Sequence, residues 1–122
     1  MNIAKKNIDF GLALCAAKKG LRIARAGWNG KDMFVFQRPA DALDVSTIID
    51  AVKSLPASVK EYYATEYPLY PVADQPYSPG IRQSVRIEFG AYLCLKAADN
   101  SIVNGWQPSQ TDMLASDWLV LD

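Results

Sequence analysis

Between Val85 and Leu95 the apolar side chains Val85, Ile87, Phe89, Ala91, Leu93 and Leu95 take every second position, with Arg86, Glu88, Gly90, Tyr92 and Cys94 between them. Successive side chains of an extended chain point to opposite faces, so this run predicts one strand with an apolar face and a largely polar one. A half-buried strand of that kind calls for antiparallel neighbours and a layer packed against its apolar side. Gly90 is the natural place for a bulge in it. Asp99-Asn100 supplies turn chemistry for a hairpin into Ile102-Val103.

The layer that could cover such a sheet is legible near the start of the chain. Phe10, Ala13, Leu14 and Ala17 recur at helical spacing and form one stripe. Asp9 is placed to cap the helix, Lys18 and Lys19 oppose its C-terminal dipole, and Gly20 follows as the left-handed residue that ends it. Leu21 and Ile23, alternating with Arg22 and Ala24, then read as a strand. Gly27 to Gly30 break the pattern before a second run, Met33 to Phe36, and Trp118 to Leu121 read as a last strand. Ser109, with Asp112 three residues on, has the form of a capping box for a short helix.

The middle of the chain differs. Asp44 caps a helix with Val45, Ile48, Ile49 and Val52 on one face, and Pro56 can start another that carries Val59, Tyr62 and Tyr63. Four of the seven prolines, Pro68, Pro71, Pro76 and Pro79, then interrupt any regular pattern, which predicts an ordered loop or lid. The reading is a single α+β domain over residues 1–122. It has a small, mainly antiparallel sheet, an N-terminal helix, a helical and proline-rich insertion at about residues 38–82, and a short C-terminal helix.

Composition narrows the functional classes. The 122 residues carry 13 basic and 13 acidic side chains, so no overall field draws the chain to duplex nucleic acid or an anionic membrane. Lys5 and Lys6 are followed by no signal-type apolar stretch, and nothing approaches the ~18 consecutive apolar residues of a membrane span; a cytoplasmic protein is expected. Cys15 and Cys94 lack any CxxC spacing and read as buried, reduced thiols. There is no histidine, which removes the commonest general base and the commonest metal ligand. No phosphate-binding loop, nucleophile elbow or zinc signature occurs, so neither catalysis nor a metal or other cofactor is expected.

Two segments carry possible ligand chemistry. In Arg25-Ala26-Gly27-Trp28-Asn29-Gly30-Lys31 an aromatic and an amide stand between glycines, beside a guanidinium suited to phosphate. Trp28 would either stack on a base or fold back to seal the sheet edge. In the segment from Asn104 to Trp118, the start of the helix at Ser109 to Thr111 offers free N–H groups. Asp112 would either close the capping box or accept hydrogen bonds from a ribose or base, and Trp106 is either core or platform.

These two segments, with the helix ending Lys-Lys-Gly and the run from Ala98 to Trp118, resemble the Thoeris anti-defence family of the second, tetrameric type. The resemblance covers about residues 10–36 and 89–121. It implies a non-catalytic phage or prophage protein of the host bacterial cytoplasm that traps glycocyclic ADP-ribose signals made by TIR enzymes. Some members also bind cyclic dinucleotides at a separate site. The implied ligand contacts are Trp28, Asn29, Gln110, Thr111 and Asp112, with Arg25, Phe36 and Trp106 beside them, and the implied assembly is a homotetramer. Asn100 stands where a glycine is usual, in a position Asn tolerates, and the insertion is longer than the family requires. The alternatives are a protein-interaction module without a nucleotide ligand, or a hydrolase of the same nucleotides.

Overall fold

The computed structural model describes residues 3–28 and 32–121. In chain order the elements are β1 (Ile3–Ile8), α1 (Phe10–Lys18), β2 (Arg22–Arg25), β3 (Phe34–Arg38), β4 (Asp41–Asp44), α2 (Val45–Asp50), α3 (Ala57–Glu66), β5 (Leu69–Tyr70), β6 (Ile81–Arg82), β7 (Arg86–Phe89), β8 (Tyr92–Lys96), β9 (Ile102–Asn104), α4 (Gln110–Leu114) and β10 (Trp118–Leu121). The architecture is α+β with antiparallel pairing throughout these ladders. They fall into two compact units, residues 1–40 with 90–122, and residues 41–89.

The first unit is a six-stranded sheet in the order β1-β10-β2-β3-β8-β9. Helix α1 begins where the Asp9 carboxylate accepts the Leu12 N–H at 2.8 Å, satisfying one of the orphan donors of the first turn. It ends in a Schellman closure: Gly20, at φ +92°, donates to Ala17 O and Leu21 donates to Ala16 O. Ala13 and Ala17 are completely buried and pack with Ile23, Val35, Trp118 and Val120, which share one face of the sheet. Two alanines let the helix lie close to the strands. Each larger aliphatic side chain buried there contributes roughly 1.5–3 kcal/mol.

The second unit holds the β4–β7 ladder, α2, α3 and the β5–β6 ladder. Asp44 caps α2 by accepting the Ser46 N–H, and its other oxygen accepts the Ser84 hydroxyl at 2.6 Å. Val45 and Ile48 of α2 are fully buried.

Four expectations change. The run from Val85 to Leu95 is two strands, because β7 pairs with β4 and β8 pairs with β3, in different units. Gly90 therefore marks the passage between units rather than a bulge. The proline-rich stretch does contain regular structure, the two-residue ladder of β5 and β6. It is closed by Gly80 at φ +100°, where a Cβ would stand 2.5 Å from Tyr70 O. The Cys15 thiol is exposed, although Cys94 is buried. Residues 3–8, read only for their charge, form edge strand β1 with two register shifts and Asn7 at φ 56°.

Candidate functional site

Pairing of β10 with β2 sets Trp118 opposite Arg25, and the chain leaves β2 through Ala26, whose N–H donates to Asp117 O at 3.0 Å. That register brings together residues far apart in sequence. Arg25 Nε donates to Asp117 Oδ1 and Nη1 to Asp112 Oδ1, both at 2.9 Å. The guanidinium therefore ties the start of the Trp28 loop to α4 and to the residue before β10.

Asp112 serves two purposes. Its Oδ2 accepts the Ser109 N–H while its own N–H donates to Ser109 Oγ, each at 3.0 Å, closing the capping box at the head of α4. Burial pushes this carboxyl up, but the Ser109 N–H and the Arg25 bridge outweigh it and hold the group below the ordinary carboxylate range. The Asp117 carboxyl is also held low, chiefly by its hydrogen bond from Arg25. The same two carboxylates, Asp117 first, raise the Arg25 guanidinium above its usual value. One cation between two anions leaves this cluster with a net negative charge.

Beside it the three tryptophans meet edge to face. Trp28 lies 5.5 Å from Trp118 and 6.0 Å from Trp106 between ring centroids, and Trp106 lies 6.5 Å from Trp118. Interplanar angles of 73° to 81° place ring edges on ring faces, the arrangement that the aromatic quadrupole favours. Trp118 is fully buried and donates its Nε1–H to Asp112 O at 2.8 Å, which links the aromatic cluster to the polar one. Trp28 and Trp106 are half-buried. A hollow of about 180 Å³ touches this neighbourhood through Arg25 and Trp28, with Ala24, Asp32, Met33 and Leu119 also in its wall; Trp106 and Asp112 do not line it.

The structure thus brings Arg25, Trp28, Trp106 and Asp112 into one neighbourhood, with Gln110 and Thr111 exposed on the first turn of α4. Asn29 lies outside the described residues. Phe36 stands apart: its neighbour Val35 shares the face of Ile23 and Trp118, so Phe36 points to the other face, where it pairs with Cys94 and lies 6.1 Å from Phe34. Arg25 faces carboxylates rather than standing open for phosphate. Sequence reasoning missed Asp117 and Asp32. Asp117 becomes visible only once Trp118 is registered opposite Arg25, and no local motif encodes that pairing. Among the described residues there is no cluster of three or more His, Cys, Asp or Glu side chains fit for a metal, and no helix is long and apolar enough to cross a membrane.

The family model for the Thoeris anti-defense 2-like domain matches residues 8–121. The chain is also 37% identical over 114 residues to the protein named Thoeris anti-defense 2 of Bacillus phage SP01, an alignment that covers 93% of this chain and 94% of that protein. The matched span contains every residue of the charged and aromatic clusters, and the chain belongs to the Thoeris anti-defense 2-like family.

Proposed function

We propose that this protein acts in anti-defence by sequestering a nucleotide-derived immune signal, glycocyclic ADP-ribose, without chemically altering it. The observation that carries the reading is the convergence of Trp28, Trp106 and Asp112 in one place, in a chain whose family is named for anti-defence. An aromatic face suits a base, stacking of this kind contributing on the order of 1–3 kcal/mol. The negative cluster suits the hydroxyl and amine donors of a ribose or adenine. Exposed N–H groups at the first turn of α4 suit phosphate oxygens.

A sponge works by mass action, and nanomolar retention requires about −12 kcal/mol. The hollow of about 180 Å³ is smaller than the roughly 300–1,000 Å³ of enclosed ligand sites. Further walls are therefore needed, and a homotetramer supplies them from neighbouring protomers. The same reading places the protein in the host bacterial cytoplasm, where the signal is made, and leaves cyclic dinucleotides as a second ligand class at a separate site.

The protein, exposed to a lysate containing an activated TIR enzyme, repurified and heat-denatured, is expected to release intact glycocyclic ADP-ribose by mass spectrometry. Release of a linear or hydrolysed product would identify an enzyme instead. Release of no nucleotide would favour a protein-interaction module.

A further inference from the structure

Helix α1 carries a second stripe besides the one in the core. Leu12, Cys15, Ala16 and Lys19 follow one another at spacings of three, one and three, so they share a face. That face is only partly packed away: Ala16 lies against the core, but Leu12 is 58% exposed and Cys15 is exposed. It forms one wall of a groove of about 300 Å³, whose other wall is β1 through Lys5 and Ile8 and whose floor includes Val120. The groove lies entirely in the first unit and contains none of the residues of the tryptophan and Arg25 clusters.

The chain path gives this groove a polarity. β1 runs from Ile3 to Ile8, turns at Asp9, and α1 returns alongside. Ile8 and Leu12 therefore stand at the turn end, Cys15 and Ala16 in the middle, and Lys5 and Lys19 at the far end, together with Ala4 and Leu21. From Leu12 to Lys19 the helix rises roughly 10 Å. The partial negative charge of the helix C-terminus is close to the cationic end. Two full positive charges exceed it, and the residues lining the groove include no carboxylate. Both cations of the lining stand at one end, beside Ala4 and Leu21, and the other end is wholly apolar, over the length of a short hydrocarbon chain.

We propose that this groove binds a single-chain amphiphile with an anionic head, its chain between Leu12 and Ile8 and its head between Lys5 and Lys19. The apolar wall provides the driving force by removing the chain from water, and the two ammonium groups fix its direction. The site does not depend on the nucleotide reading and stands or falls separately.

Cys15 reports on occupancy directly, because it lies mid-groove while Cys94 is buried. The experiment follows alkylation of Cys15 by iodoacetamide in the full chain, with octanoate or neutral 1-octanol as the probe. Octanoate at some ten times its dissociation constant is expected to slow alkylation about tenfold, and octanol far less. Lys5→Gln/Lys19→Gln, both exposed positions, is expected to lose most of the protection while keeping its circular dichroism. No slowing by octanoate, equal slowing by octanol, or undiminished protection in the double variant would each overturn the proposal. So would protection without additive that deepens with protein concentration as the mass rises, since a second copy would then occupy the groove.

Discussion

A guanidinium clasped by two carboxylates does different work from one left open, and Arg25 is of the first kind, bonded at 2.9 Å to both Asp112 and Asp117. It positions the loop that carries Trp28 against α4. Arg25→Ala is expected to lower stability by about 1–3 kcal/mol, since it leaves two partly buried carboxylates without their donor; urea unfolding measures this. Both carboxyls have folded-state values below their unfolded ones. Their contribution is therefore complete above the ordinary carboxylate value of roughly 3.9 and is lost as the pH falls through the lower folded values. Thermal unfolding of the wild type should weaken steeply as the pH drops through that range, and Asp117→Asn should show a shallower fall. A pH dependence identical in the two proteins would remove the assignment. Asp112 could be read from the sequence because its capping partner is three residues away, whereas Arg25 and Asp117 are 92 apart and meet only through strand register.

At the scale of elements, those with their own punctuation were legible and those that depend on a distant partner were not. Asp9 and Gly20 delimit α1, and Ser109 with Asp112 opens α4, because caps and left-handed closures are local chemistry. Ser109→Ala is expected to cost about 0.5–2 kcal/mol and to broaden the near-ultraviolet circular dichroism of the tryptophans, since Trp118 donates to the backbone of that helix. An unchanged spectrum would show that the cap does not organise the cluster. The alternation from Val85 to Leu95 could not reveal where one strand ends and the next begins, because β7 and β8 keep the same parity while pairing in different units. Cys15 defeated the burial expectation for a related reason: α1 is apolar on two stripes, and the sheet covers only the one with Ala13 and Ala17. Strand β1 has no clean alternation, its pairing with β10 shifting register twice, so nothing local announced it.

For the whole molecule, the two units differ in what their sequences disclose. The first unit is assembled from residues 1–40 and 90–122, and its central ladder pairs β3 directly with β8. Antiparallel strands of that kind can be joined by a short turn. A chain with residues 41–89 replaced by a two-residue Asn-Gly turn is accordingly expected to retain the near-ultraviolet signature of Trp28, Trp106 and Trp118. Loss of that signature would mean that the first unit depends on the second. The resemblance placed the family correctly on motifs that lie in the first unit, and the same motifs supplied the candidate contacts. In the proposed function the tryptophan cluster and Asp112 form the trap. Calorimetry of glycocyclic ADP-ribose against the wild type and Trp28→Ala tests it most directly: the wild type should bind tightly and the variant, still folded, at least about tenfold more weakly, a loss of about 1.4 kcal/mol. Equal affinity in both proteins would contradict it.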